Sequence, residues 1–283
     1  MSAEDFQNFI QPTHHDTYPF IARADHRGRT VFITGASRGI GRATALAFAR
    51  SGAGTLILAA RSSLDDLTTE IAALDHAPKV VSLVLDVTSQ DSVDAALVTA
   101  SQHVSSIDIL INNAGHLEEL HPVNESDKQE WWRTWEVNIR GTYLVVHTFM
   151  DLLLASHCKT VINVSSKGGL YTRHGASAYG SSKAALLRFT QFLDFEYKER
   201  GLLALAIHPG SVATDLALRL PQTGHAKLID KPELAADTLA WLTEERIAWL
   251  SGRYVSVNWD MEQLMLLKSD IINGDKLKLT LKV

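Results

Sequence analysis

From Thr30 onward, short apolar segments rich in β-branched residues alternate with longer stretches of helical periodicity, and few folds accept that rhythm. The apolar runs are TVFIT (30–34), TLILAA (55–60), KVVSLVL (79–85), IDILI (107–111), TVINV (160–164), LLALAI (202–207) and RYVSV (253–257). Continuous apolar character, in place of strict alternation, marks strands buried on both faces. The segments 41–50, 64–74, 91–102, 128–155, 178–200 and 233–245 read as helices. Parallel strands need a crossover between them, usually a helix, so this order predicts an α/β fold. The expected architecture is a doubly wound, seven-stranded parallel sheet with helices on both faces. No repeat or low-complexity linker interrupts 30–257, which predicts one domain over 29–258. An irregular arm (1–28) precedes it, and an apolar tail (259–283) is expected to pack on the domain or on a subunit neighbour.

Composition narrows the function classes. With 283 residues, 46% hydrophobic and 21% charged, the chain can bury a full core. A net charge of -5 without charged blocks argues against nucleic acid or an anionic membrane as the main partner. The single cysteine, Cys158, excludes an internal disulfide framework and fits a reducing, cytoplasmic setting. The acidic start MSAEDFQNFI does not read as a signal peptide, and no apolar run reaches membrane-spanning length. His14 and His15 lack a third ligand at usable spacing, so no metal site is predicted. Trp131, Trp132 and Trp135 fall within about one helical turn and read as packing or subunit-contact residues.

The first strand runs into Gly35-Ala-Ser-Arg-Gly39-Ile-Gly41 and then a helix. Glycines permit a tight turn and a close approach of pyrophosphate, and the helix N-terminus offers free N–H groups with a partial positive charge. The spacing is GxxxGxG rather than the commoner GxGxxG, but the strand-before, helix-after context is that of a dinucleotide site. At the end of the second strand an NAD-selecting chain usually carries an acid for the ribose hydroxyls. Here the residues are Ala59-Ala60-Arg61-Ser62. Arg61 and Arg38 are suited to a 2′-phosphate through charge-assisted contacts, which favours NADP(H) over NAD(H).

Tyr179 and Lys183 stand four apart at the start of a predicted helix and so share a face. A free phenol has a pKa near 10, and a neighbouring ammonium is expected to lower it toward a useful acid/base range. Such a tyrosine donates a proton to a carbonyl oxygen as hydride arrives, or removes one from an alcohol in reverse. The pair gains weight from its company. Ser166 lies thirteen residues upstream, just past TVINV, where a hydroxyl holds a substrate oxygen. Asn138, in the preceding helix, is placed to anchor a water connecting Lys183 to solvent. Asn112-Asn113-Ala114-Gly115 and His208-Pro209-Gly210-Ser211-Val212-Ala213-Thr214 end two further strands at the carboxyl edge, where open α/β sheets bind ligands.

As a set, TGASRGIG (34–41), Asp86 in LDVTS, NNAG (112–115), Asn138 in WEVNIRG, Ser166 in NVSSKGG, YGSSK (179–183) and HPGSVATD (208–215) resemble the short-chain dehydrogenase/reductase family. They fall in that family's order and spacing over roughly residues 28–258. The resemblance implies a Rossmann-type domain, with Tyr179 as acid/base and Lys183 tuning it and holding the nicotinamide ribose. It also implies that Ser166 orients substrate and that Asn138 supports a proton relay. By the same resemblance Asp86 holds the adenine amino group, and the cofactor-binding set takes in Gly35, Ser37, Arg38, Gly39, Ile40, Gly41, Arg61 and Val87. Asn113, Ala114 and Gly115 line the adenosine ribose, Val212 and Thr214 hold the carboxamide, and Pro209 is a further cofactor contact. Ser165 is adjacent, but the thirteen-residue offset favours Ser166. Family members form dimers or tetramers through two long helices, here 128–155 and 178–200. The arm and tail depart from the core pattern and are similar to extensions of fungal secondary-metabolism members.

These readings predict an NADP(H)-dependent oxidoreductase that interconverts a ketone and a secondary alcohol. Two alternatives share the scaffold: an NADP-assisted rearrangement or cyclisation enzyme, and a non-redox dinucleotide-sensing module. The segment 214–225 reads as a lid whose Leu216, Leu218 and Leu220, with His116, Leu117, Leu170 and Trp259, suggest an apolar wall for the substrate. A core role for those leucines fits the sequence equally well.

Overall fold

In a computed structural model, which describes residues 9–281, the apolar runs form β1 (Thr30–Thr34), β2 (Thr55–Ala60), β3 (Lys79–Val84), β4 (Ile109–Asn112), β5 (Thr160–Val164), β6 (Leu203–His208) and β7 (Arg253–Ser256). Residues 1–8 of the expected arm and 282–283 of the expected tail lie outside the described residues. All the strands pair in parallel in the order β3-β2-β1-β4-β5-β6-β7. The chain winds outward from β1 to β3, then returns to β4 on the other side of β1. That reversal leaves a crevice beyond the carboxyl ends of β1 and β4, the place where such sheets bind ligands. One strand departs from expectation. Lys79, Ser82 and Val84 of β3 are exposed, because β3 is an edge strand covered on one face only.

The helices are α1 (Gly39–Arg50), α2 (Asp65–Ala72), α3 (Gln90–Ser101), α4 (Lys128–Trp135), α5 (Thr142–Ala155), α6 (Ser177–Tyr197), α7 (Pro232–Glu244), α8 (Met261–Leu266) and α9 (Lys268–Asn273). Local chemistry explains several starts. Asp127 accepts the N–H groups of Gln129 and Glu130 at 2.8 Å, Ser89 caps α3, and Pro232 opens α7. The single helix expected over 128–155 is broken by a π-helical turn, Glu136–Gly141. The added residue turns Asn138 fully inward and seats Gly141 against Val87, where a Cβ would lie 2.7 Å from Val87 Cγ2. Hydrophobic periodicity does not register a one-residue widening of this kind.

The core has two parts, one on each sheet face. Ile33, Leu58, Ile111 and Leu205 pack with Phe48 of α1 and Leu239 of α7. Phe32, Ile57, Leu110 and Val161 pack with Val93 of α3, Phe149 of α5 and Leu193 of α6. The arm and tail join the first part: Ile10, Ile21, Met261, Leu264 and Ile271 are buried there. Trp259 sits in the same core between Phe9 and Tyr254, so it is not part of a substrate wall. The tail also covers the outer edge of β7, where the Tyr254 N–H donates to the Leu277 carbonyl at 2.8 Å. His14 and His15 take separate carboxylates, Asp260 at 2.8 Å and Asp230 at 2.5 Å. Among the described residues, no helix is long and apolar enough to cross a membrane.

The second core rests on Phe149, fully buried with its ring 4.7 Å from that of Phe32. Phe149→Ala is expected to lower unfolding free energy by about 3–5 kcal/mol in urea titrations, with little change in slope. A loss below about 1 kcal/mol would show that this ring pair does not hold helix to sheet.

Candidate active site

The ends of β4, β5 and β6 and the start of α6 meet at one edge of the sheet. β5 ends in two serines with different fates. The Ser165 hydroxyl donates to the Lys183 carbonyl at 2.9 Å and is consumed in joining strand to helix. Ser166 turns the other way, accepts the Gly168 N–H at 3.0 Å and hydrogen-bonds the Tyr179 phenol. The short turn Lys167–Gly169 then lies directly on α6, with so little room that a Cβ on Gly169 would come within 2.7 Å of the Lys183 and Ala184 backbone.

Lys183, one helical turn beyond Tyr179, is 4% exposed. Its ammonium donates to the Val164 carbonyl at 2.9 Å and stands 5.7 Å from the Tyr179 ring centroid. Burial pulls its pKa down to about 8. Tyr179 moves the opposite way to the sequence expectation. Burial pushes its phenol up, Glu118 and Tyr171 add to the rise, and the hydrogen bond with Ser166 only partly opposes it. The ammonium is bonded to a carbonyl, and desolvation of the phenol is the largest influence on Tyr179.

Asn138 is clamped. Its amide oxygen accepts the His116 N–H at 2.9 Å, and its amide nitrogen donates to the His116 carbonyl and the Ser182 hydroxyl, both at 3.0 Å. Three of its four hydrogen-bonding positions are therefore spent on holding the loop after β4 to α6. A Cβ on Gly115 would lie 3.6 Å from Asn138 Oδ1 and 3.7 Å from Lys183 Nζ. Those two atoms thus border one space above a residue that has no side chain.

The glycine turn is built to expose backbone. Gly35 and Gly39 have φ of 66° and 55°, and a Cβ on Gly41 would overlap the Gly35 carbonyl oxygen. No side chain caps α1, and its first turn carries no acid, so the N–H groups from Gly39 through Gly41 lack a side-chain partner. Asn113 braces the turn from behind, donating to the Thr34 and Gly35 carbonyls at 3.0 Å. The N–H groups of Asn113 and Ala114 both donate to the Thr34 hydroxyl. Ser37 accepts from the Ser62 hydroxyl at 2.9 Å. Arg61 is exposed, and Arg38 reaches across to Asp215 at 2.5 Å in an exposed ion pair.

Just beyond β3, burial would raise the Asp86 carboxyl, but hydrogen bonds from the Thr88 N–H and hydroxyl outweigh it and hold the pKa low. On the segment after β6, which begins with Pro209, Val212 bridges to Asp230. The Thr214 methyl would lie 3.0 Å from a Cβ on Gly39, so this segment closes over the turn. The lid beyond it is tied down where the Arg219 guanidinium donates to the Leu117 carbonyl at 3.2 Å. Leu216, Leu218 and Leu220 are not core residues: Leu218 is exposed and the other two half-buried. Leu117 is buried, Leu170 packs at the margin of the core, and His116 pairs with Glu130 at 3.0 Å.

Sequence reasoning missed Glu118, Thr34, Ser182 and Asp215. Glu118 is 3% exposed, accepting the Tyr179 N–H and the Thr134 hydroxyl at 2.9 Å. Its only trace in the sequence is an acid within the stretch HLEEL, which fits no spacing rule. Asp215 and Thr34 lay inside quoted motifs, but their partners are distant in the chain.

The sequence model of the family described as short chain dehydrogenase matches residues 29–224. The chain is 51% identical over 282 residues to the short chain dehydrogenase mpl6 of Monascus purpureus, covering 96% of both chains. Among solved structures it is similar to a short chain dehydrogenase from Shigella flexneri complexed with NADP (26% identity, TM-score 0.75, 83% of this chain and 99% of that one). The fold is also shared with a 3-ketoacyl-(acyl-carrier-protein) reductase from Brucella melitensis complexed with NADH (24% identity, TM-score 0.74, covering 82% and 98%).

The buried ammonium yields a pH prediction. Lys183 gives up its proton near pH 8 when folded and near 10.5 when unfolded, so between those values the unfolded chain binds more protons. Its contribution to stability should therefore be least favourable below pH 8 and rise as pH climbs toward 10.5. NMR of lysine side chains should find one Cε signal titrating near pH 8 that disappears in Lys183→Met. A spectrum in which every lysine stays charged up to pH 10 would contradict the assigned burial.

Proposed function

The chain belongs to the short-chain dehydrogenase family, and on that premise we propose that it is an NADP(H)-dependent carbonyl reductase, reversible as a secondary-alcohol dehydrogenase. The observation that carries the reading is the convergence of Ser166, Tyr179 and Lys183 at the end of β5, beside a glycine turn with uncapped N–H groups. The cradle fits a dinucleotide: a Cβ at Gly35 or Gly41 would strike Asn113, Ala114 or the Gly35 carbonyl, so only glycine closes the turn this tightly, and the helix N-terminus behind it has no side-chain cap. Gly35, Ser37, Gly39, Ile40 and Gly41 would hold the pyrophosphate, and Arg38 and Arg61 a 2′-phosphate. Asp86 and Val87 would meet the adenine, and Asn113 to Gly115 the ribose. Pro209, Val212 and Thr214 would take the carboxamide. The exposed Arg38–Asp215 pair contributes little, about 0–1 kcal/mol, so a phosphate can displace the carboxylate cheaply.

When bound, the reduced nicotinamide supplies a hydride to the carbonyl carbon. Ser166 and Tyr179 hydrogen-bond the carbonyl oxygen, fixing which face is presented. Tyr179 gives its proton to that oxygen as negative charge develops there, and an alcohol results. The buried Lys183 ammonium stabilises the phenolate left behind, and with Asn138 it borders the space through which Tyr179 is reprotonated. The half-buried leucines of the lid favour an apolar ketone. Tyr143 on α5 and Phe192 on α6 are about half exposed, which supports self-association through these helices.

NADPH oxidation followed by absorbance, with a panel of apolar ketones, should show turnover that falls at least about 100-fold in Tyr179→Phe. Arg38→Ala and Arg61→Ala should raise KM for NADPH more than for NADH. A Tyr179→Phe protein with full activity would refute the chemical assignment, and equal effects on both cofactors would refute the 2′-phosphate assignment.

A further inference from the structure

Glu118 is a carboxylate enclosed in the wall of the proposed site, and none of the steps above uses it. It comes from the loop after β4 and reaches α6 from outside that helix. Tyr179 is the third residue of α6, so its N–H is one of the helix's unpaired donors, and the cap residue Ala176 offers no side-chain partner. Glu118 Oε1 takes that N–H at 2.9 Å, while Oε2 accepts the Thr134 hydroxyl of α4 at 2.9 Å. One side chain thus joins three elements at the backbone of the reacting tyrosine. Both oxygens act as acceptors, at the positive end of α6. No cation neutralises it among the ion pairs of the described residues.

We propose that Glu118 is a positioning residue, which anchors Tyr179 through its main chain and whose enclosed negative charge opposes formation of the phenolate. The inference rests on the carbonyl-reductase reading and adds to it a residue that holds Tyr179 and sets the pH above which its proton is lost. The argument is electrostatic. Giving up the phenol proton creates an anion close to a fixed one, in surroundings that screen poorly. The other groups around the phenol do not cancel this. Lys183, on the same helix, carries the opposing charge, but its ammonium is bonded to the Val164 carbonyl, stands 5.7 Å from the Tyr179 ring centroid and offsets Glu118 only in part. Lys167, after β5, turns away to the Ser211 hydroxyl at 3.0 Å. Tyr171 on that segment opposes phenolate formation as Glu118 does. His116, on the loop after β4, faces Glu130 of α4. The lid's Arg219 is engaged with the Leu117 carbonyl.

The test separates anchoring from charge. Glu118→Gln keeps an acceptor for the Tyr179 N–H, and the Thr134 hydroxyl can rotate to accept from the new amide. Only the charge is lost. Ultraviolet difference titration against Tyr179→Phe reads the phenolate directly and needs no turnover. In Glu118→Gln that phenolate should appear at lower pH than in the parent, by roughly half a pH unit or more. If ketone reduction is observed, the alkaline limb of its kcat/KM profile should move by the same amount, with KM for NADPH unchanged. Glu118→Ala, which also removes the anchor, should lose about 10-fold or more in kcat, and Glu118→Gln should recover most of it. Superimposable phenolate titrations for parent and Glu118→Gln would overturn the proposal even in an active reductase. A protein that turns over no ketone would defeat the carbonyl-reductase reading while leaving this titration to decide the role of Glu118.

Discussion

Lys183 keeps an ammonium inside the protein, bonded to the carbonyl that ends β5, and the arrangement of the site follows from how that group is accommodated. A buried ammonium is costly unless it is hydrogen-bonded, so α6 must approach β5 closely. The glycines at 168 and 169 and the Ser165 bond to the Lys183 carbonyl permit and hold that approach. The same approach carries Tyr179 to Ser166. The π-helical turn then brings Asn138 to the loop after β4, which carries both Gly115 and Glu118. Strand end, helix start and loop are fixed together, and the tyrosine is held through its side chain by Ser166 and through its backbone by Glu118.

Much of this was legible in the sequence because it obeys short-range rules. The seven apolar runs gave the sheet with boundaries within about two residues, since continuous burial leaves a continuous pattern. The preference for Ser166 over Ser165 came from the thirteen-residue offset to Tyr179 that the family resemblance implies, and it is Ser166 that bonds the phenol here. Other parts were hidden for physical reasons. The π-helical turn inserts a single residue without disturbing the apolar face. β3 looked doubly buried, although an edge strand needs cover on one side only. The rise in the Tyr179 pKa depends on burial and on Glu118, and neither can be read from the i,i+4 spacing that suggested a fall.

The arm and tail show how a chain can support a site without entering it. Trp259, read at first as part of a substrate wall, is enclosed by Phe9 and Tyr254, and the tail lies along the edge of β7. Arm residue His15 also bonds Asp230, the carboxylate that receives the Ser211 N–H on the segment after β6. The arm thereby steadies the segment that closes over the glycine turn.

The central claim is that this edge of the sheet moves a hydride to a carbonyl carbon while Tyr179 supplies the proton. NADPH carrying deuterium at both C4 positions offers the most direct measurement. The account predicts that, with a ketone that is turned over, the label is found at the carbinol carbon of the product. A product formed at normal rate without deuterium at that carbon would contradict it.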